Sequence, residues 1–486
     1  MTRRGAAARI AVLRSAVVVM VCGASVVALP GSVAVAAPDV PAYAFADDVR
    51  RAEPATDTGD AVRLEPGSTY RSSLPHGVGT GSGDGSGDGT ESGGKVYYRL
   101  ELDAASTAYV SVTAIPRPGA ALAVGDGIGV AVQNADGTSC SYDSATVGTS
   151  RSPRPITAWA AREIQPGRGL CQEAGTYYVV VEPVGTGSSG SGTGSGGSGD
   201  DTWDLEIAPV SEPPVAKGAS TNVPGTWNSA TPAPPTGEAE SVHGGAGFTE
   251  AAAVAQGVWD DEIVPGQTLF YRVPVDWGRQ LYASVEVGSG RKSSGFVVDA
   301  LDLTLHNPVR AKVEEVGVGY GGTQKSAALA PAPPVRYANR YAPANPTKSL
   351  RFAGDHYLVV HLAAEVADAF GDGPYGLTLR VRLGGSAQPG PGYQGRAVPN
   401  GVFGKDSGIA APTGAGLGDL KDRTRAASSA DGDATMRAVA AAGFGTGTAL
   451  LLVLGGWTLV GRRRAAASAS ASAAGQMRVS AQNPTP

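Results

Sequence analysis

Groups that do chemistry are scarce in this sequence. Its 486 residues include three cysteines and five histidines. None of these falls at H-E-x-x-H or C-x-x-C spacing, and no G-x-S-x-G occurs. The metalloprotease, zinc-ribbon and hydrolase-elbow signatures are therefore absent. Charged residues make up only 17%, so this is not a charge-driven disordered chain. Helical periodicity is nearly missing outside residues 249–256 and one long apolar run near the C-terminus. In place of these come 70 glycines and 34 prolines, about a fifth of the chain where average usage gives roughly an eighth.

Acidic residues are missing from both ends. Arg3, Arg4, Arg9 and Arg14 precede an apolar stretch that closes on Ala34-Val35-Ala36. That order predicts a secretory signal peptide, residues 1–36, which carries Cys22 away with it. Residues 438–460 hold no charge, and a helix of their length rises about 35 Å against a hydrocarbon core of about 30 Å. Arg462, Arg463 and Arg464 follow, and residues 462–486 contain no acid. A single transmembrane helix over 437–461 is predicted, with the short basic tail in the cytoplasm. The protein is expected to be a single-pass plasma-membrane protein, its N-terminus extracellular, touching the membrane through its own helix. With four arginines at each end and no acid at either, a net charge of −5 leaves −13 on residues 37–460. So acidic an ectodomain argues against nucleic acid as a partner.

Two cysteines remain after export, Cys140 and Cys171. In an exported domain an even pair predicts a disulfide, and closing a loop of about thirty residues contributes about 3–4 kcal/mol on the chain-entropy account.

The ectodomain uses one pattern twice. Leu64-Glu65-Pro66-Gly67-Ser68-Thr69-Tyr70 and, after a Gly-rich insertion, Val96-Tyr97-Tyr98-Arg99-Leu100 match Val264-Pro265-Gly266-Gln267-Thr268-Leu269-Phe270-Tyr271-Arg272-Val273. Ala108-Tyr109-Val110-Ser111-Val112 matches Leu281-Tyr282-Ala283-Ser284-Val285, and Gly175–Val181 matches Gly354–Val360. Trp203-Asp204-Leu205-Glu206-Ile207 and Tyr375-Gly376-Leu377-Thr378-Leu379 close the two copies. These short alternating segments, bounded by turn residues, predict half-buried strands, with Tyr98, Leu100 and Leu102 inward and Arg99 and Glu101 outward. The fold class expected is all-β: two antiparallel jelly-roll-like β-sandwich domains plus the C-terminal transmembrane helix. An N-terminal extended segment is placed at 37–59. Sandwich 1 follows at 60–210, with Gly/Ser-rich loops 79–94 and 185–200, then a Pro/Gly linker at 211–247. Sandwich 2 is placed at 248–384 and a flexible stalk at 385–436.

The order of turn, Y-R-V strand, A-S-V strand and G-x-Y-x-V-x-V strand resembles tandem bacterial pre-peptidase C-terminal domains. Residues 264–287 are similar to the juxtamembrane region of actinobacterial secreted von Willebrand factor type A proteins. The D-x-S-x-S metal motif of a type A domain is absent, so neither that domain nor its metal site is expected. The resemblance implies an accessory module that binds carbohydrate or protein and does not catalyse.

Few residues suggest a site. Asp84 and Asp88 in GSGDGSGDG, and the neighbours Asp260 and Asp261, are weak candidates for a cation, with solvated loops and strand edges as the alternative. Tyr337, Tyr341 and Tyr393, in Pro-rich loops, are weak candidates for stacking on sugars or on a partner's apolar patch, with packing of the loops themselves as the leading alternative. His356 and His361, five apart on one strand, fall on opposite faces and cannot share a metal; His356 is expected at a turn edge. No catalytic residue and no cofactor is assigned. The function these features suggest is a non-catalytic surface protein whose sandwiches engage another envelope or secreted protein. The alternative is a module for glycan or cell wall, and an unrecognised hydrolase is the third reading.

Overall fold

Alternation of apolar and polar side chains dictates strands with one face buried, and the computed structural model bears this out. Tyr98 and Leu100 are buried while Glu101 is exposed. The structure describes residues 40–75, 94–165, 167, 169–185, 202–215, 225–291 and 295–404. The signal peptide expected at 1–36, the span expected at 437–461, the tail at 462–486, and nearly all of 79–94 and 185–200 lie outside the described residues. So do Asp84 and Asp88. Among the described residues no helix is long and apolar enough to cross a membrane.

The first copy forms β1 (Arg50–Arg51), β2 (Val62–Arg63), β3 (Tyr70–Pro75), β4 (Val96–Leu102) and β5 (Thr107–Ile115). Then come β6 (Gly127–Asn134), β7 (Ser139–Thr146), β8 (Ile156–Arg162), β9 (Gly175–Val184) and β10 (Thr202–Glu212). They build two sheets, ordered β1-β3-β10-β5-β8 and β2-β4-β9-β6-β7. The second copy forms β11 (Glu240–Ser241), β12 (Ala252–Ala253), β13 (Gly257–Ile263), β14 (Thr268–Val275) and β15 (Gln280–Val287). It continues with β16 (Val297–His306), β17 (Lys312–Tyr320), β18 (Lys325–Ala328), β19 (Gly354–Leu362) and β20 (Tyr375–Gly384). Its sheets run β11-β13-β20-β15-β18 and β12-β14-β19-β16-β17. Adding ten to every strand number of the first sandwich yields the second. Leaving aside the two short parallel strands of each copy, eight antiparallel strands remain in the order of a jelly roll. Among the described residues helix is confined to a 3-10 turn at Tyr337–Tyr341 and two short segments, α1 (Asn345–Ser349) and α2 (Glu365–Phe370).

Each core keeps the same tyrosine. The Tyr98 hydroxyl lies 2.7 Å from Ser72 Oγ, and the Tyr271 hydroxyl donates to Asp261 at 2.7 Å. Ser72 is opposite Leu205 and Asp261 opposite Leu377, so the two partners occupy one position of the repeat. A buried hydroxyl needs such a partner, and each copy supplies its own.

Several boundaries differ from the sequence reading. Pro66-Gly67 turns into β3, whereas Pro265-Gly266 joins β13 to β14, so these turns are not equivalent. Both are Pro-Gly β-turns, closed by Ser68 N–H on Glu65 and Gln267 N–H on Val264, with Gly67 and Gly266 at φ +84° and +83°; the same local turn recurs at different places in the fold, which is why the motif misaligns the copies. Residues 249–256 are not helical but contain β12. The segment 37–59 contributes β1 and a buried Ala52. Residues 385–404 are not a free stalk: Ser211 and Val398 exchange backbone hydrogen bonds at 2.8 and 3.0 Å, and Phe403 stacks on Phe352 at 4.8 Å.

Cys140 on β7 and Cys171 before β9 are joined, 31 residues apart. The bond pins the β8–β9 connection to the sheet edge. Replacing both by serine is expected to lower stability by about 3 kcal/mol, read from denaturant unfolding; an unshifted midpoint would show that the connection holds itself.

The two sandwiches pack face to face, sheet β1-β3-β10-β5-β8 against sheet β12-β14-β19-β16-β17, giving four layers. Their shared seam is polar and buried. Glu206 on β10 pairs with Arg310 at 3.1 Å, Glu212 with Arg340 at 2.6 Å and Glu163 with Arg351 at 2.8 Å. Arg154 reaches across to Asp302 and Glu315 at 3.2 and 3.0 Å. Tyr109, Phe352 and Phe403 fill one end, and Tyr43 of the N-terminal segment joins Glu206 to Phe270 at the other.

Candidate functional site: an aromatic groove on the second sandwich

β15 and β20 are antiparallel neighbours in register Gln280↔Gly384 and Tyr282↔Arg382. Leu281, Ala283 and Val381 point into the core, so Gln280, Tyr282 and Arg382 stand on the outer face. A strap, residues 225–235, crosses that face. It is held by Gln280, whose amide nitrogen donates to the carbonyls of Asn228 (3.1 Å) and Ala332 (2.7 Å), and by Arg382, which donates to Ala233 at 2.7 Å. Sheet, strap and the segment 384–391 enclose an open groove of about 860 Å³, within the ~300–1,000 Å³ of ordinary ligand sites.

Four aromatic residues line it: Trp227 from the strap, Trp277 from the β14–β15 turn, Tyr282, and Tyr337 at the start of the 3-10 turn. All four are half-buried. Trp277 is held by Gln388, whose backbone nitrogen donates to its carbonyl at 2.7 Å. The chain at Gly390 runs so close that a Cβ there would lie 2.7 Å from Trp277 Nε1, which is why glycine stands at that point. One face of Tyr337 is covered by the Arg340 guanidinium at 3.6 Å. Burial pushes the Tyr337 hydroxyl up to about 12, so it remains a donor across physiological pH. Asn228, Thr231, Ser386, Gln388, Arg336 and Arg382 intersperse hydrogen-bonding groups among the rings.

Of the three tyrosines singled out in the sequence, only Tyr337 lines the groove. The Tyr393 hydroxyl donates to Glu212 at 2.8 Å in the seam, and burial with that carboxylate raises its pKa, so it is a packing residue. Tyr341 is half-buried at the end of its turn and does not reach the groove. Asp260 and Asp261 do not converge on a cation: adjacent on β13, they face opposite ways. Asp260 accepts from Thr378 at 3.1 Å, whereas buried Asp261 accepts from Tyr271, Gly244 and Glu262 and lies 3.0 Å from His243 Nδ1. Among the described residues no three His, Cys, Asp or Glu side chains gather as for a metal ion.

His356 is not at a turn edge. It is wholly buried in β19, and burial lowers it to about 4. His361 faces the seam, with Nδ1 2.9 Å from Thr268 Oγ1 and Nε2 2.9 Å from Ser152 Oγ. A serine beside an imidazole is the spacing of nucleophile and base, yet Ser152 is 0% and His361 1% exposed, leaving no room for a substrate.

The sequence reading missed Trp227, Trp277, Tyr282, Arg336 and Arg382. Trp227 carried a signal, being a large aromatic in an otherwise small-residue linker. Tyr282 carried none, since its register with Arg382 is a tertiary fact.

No protein-family model matches the chain, and no curated protein does. Among solved structures, it is similar to the CUB1-EGF-CUB2 domain of human MASP-1/3, at 7% identity over 59% of this chain and 93% of that one, with a TM-score of 0.15. It is also similar to the CBM22-1-CBM22-2 tandem domain of Paenibacillus barcinonensis Xyn10C, at 10% identity over 60% and 83%, TM-score 0.16. A third is the tandem CBM51 modules of Sp3GH98 from Streptococcus pneumoniae, at 10% identity over 60% and 81%, TM-score 0.15. Scores this low carry no functional argument, and the groove stands on its own chemistry.

Proposed function

We propose that this chain is a non-catalytic cell-surface module that binds an extended glycan in the groove between Trp227, Trp277, Tyr282 and Tyr337. The observation that carries this reading is the convergence of four half-buried rings with amide, hydroxyl and guanidinium groups in one open groove. A sugar ring offers apolar C–H faces bordered by hydroxyls. Tryptophan and tyrosine present flat apolar area with little side-chain entropy to lose, and the polar groups between them meet the hydroxyls. A polypeptide ligand of the same groove would call for a more continuous apolar floor than these alternating groups provide. The resemblance to pre-peptidase C-terminal domains agrees in implying a module that binds. Export by residues 1–36 and anchoring by 437–461 would place the groove outside the cell.

The test is a glycan array followed by calorimetry with the full-length protein in detergent. Trp277→Ala is expected to weaken binding of any retained glycan by about a hundredfold, as loss of a central aromatic anchor does. Capture of a stoichiometric envelope protein from native membranes, with no glycan retained, would instead favour the protein-partner reading.

A further inference from the structure

We infer that the glycan this groove takes is acidic, carrying carboxylates on its sugar rings; this rests on the glycan reading above. Two arginines, Arg336 and Arg382, line the groove, and no aspartate or glutamate does. That is unlike the protein as a whole, which has 44 acids against 39 basic residues. Several arginines on the sandwich surfaces meet carboxylates: Arg380 meets Glu286 at 3.7 Å, Arg272 meets Asp355 at 3.1 Å and Arg71 meets Asp204 at 2.8 Å. Arg380 and Arg382 stand two residues apart on the same face of β20, and only the first has a carboxylate partner among the described residues. Arg382, which lines the groove, uses one nitrogen on the Ala233 carbonyl and has further donors on the same guanidinium. Arg336 is exposed, its position fixed by its backbone nitrogen donating to Leu350 at 3.1 Å.

A guanidinium presents paired N–H groups that match a carboxylate in bidentate fashion, and charge-assisted bonds of this kind are about twice as strong as neutral ones. A neutral saccharide would satisfy the rings and leave both cations without a counter-charge. A chain of sugar acids satisfies both sets at once. The net negative charge of residues 37–460 disfavours such a ligand at large, so local cations are needed to hold it.

The experiment uses the full-length protein and an array of acidic oligosaccharides bearing uronate, sialate or muramate carboxylates, each beside its carboxyl-reduced neutral counterpart. The expected result is about tenfold tighter binding of acidic members at low ionic strength, with a margin that shrinks as salt screens the charges. Arg336→Gln should remove most of that margin, and Arg336→Lys should restore part of it; Arg336 is exposed, so its replacement spares the fold. Equal or tighter binding of the neutral counterparts would overturn the acidic assignment and leave the glycan reading standing. Retention of no oligosaccharide of either kind would overturn both.

Discussion

Replacing Glu212 by alanine is expected to destabilise the protein by about 3–5 kcal/mol, the cost of leaving one member of a buried ion pair without its partner. Glu212 is 2% exposed, and its carboxylate accepts from Arg340 at 2.6 Å and from the hydroxyls of Tyr109 and Tyr393, both at 2.8 Å. Alanine would strand a buried guanidinium and two buried hydroxyls together. Arg340→Ala should cost a comparable amount, and the double variant less than the sum, because the residual charge is then gone. Denaturant unfolding of the single and double variants measures this. Additive single effects would mean that the pair does not interact across the seam.

Acidification is expected to weaken the second sandwich and its seam between about pH 6.5 and pH 4. Burial lowers His306 and His356 to about 4, and burial with the Arg154 charge lowers His361 to about 3. An unfolded histidine titrates near 6.5. Between those values the unfolded chain takes up protons that the folded one refuses, so stability is fully present above about pH 6.5 and is lost as pH falls. Asp302, raised to about 6 by burial, acts in the opposite sense over part of the range. Glu163, held low by Arg351 against its burial, adds to the loss at more acid pH. Asp143 and Asp355, also raised by burial, act with Asp302. Three strongly lowered imidazoles against these carboxylates leave a net loss on the order of a few kcal/mol, read as a lower Tm at pH 5 than at pH 7.5. A flat profile across that interval would mean that the imidazoles take up protons without unfolding.

The strand plan was legible because strands announce themselves locally. Tyr98 and Tyr271, Tyr109 and Tyr282, and the Gly-led strands β9 and β19 recur in order, and that order is the jelly roll's. The Pro-Gly turns misled because turn chemistry depends on local backbone angles and says nothing of which strands it joins. The seam was not legible at all. β5 reads as an alternating strand with Ser111 and Thr113 on a polar face, yet both are buried, because the second sandwich covers that face. Alternation shows that a face is polar, not whether water reaches it. The groove was half legible: Tyr337 could be singled out by its loop, but the meeting of Trp227 with Trp277 depends on a strap that crosses a sheet, for which no local pattern exists.

The packing of residues 385–404 bears on how the molecule carries load. The last described stretch pairs Val398 with Ser211, at the end of β10, and stacks Phe403 on Phe352 beside the seam. Tension applied to the chain beyond residue 404 therefore enters where the two sandwiches meet, and both share it from the start. It has to shear paired backbone and stacked rings before it can peel β20 from its sheet. The groove, built on β15 and β20, stays out of the line of pull, so a ligand held there can be tugged without the site being prised open.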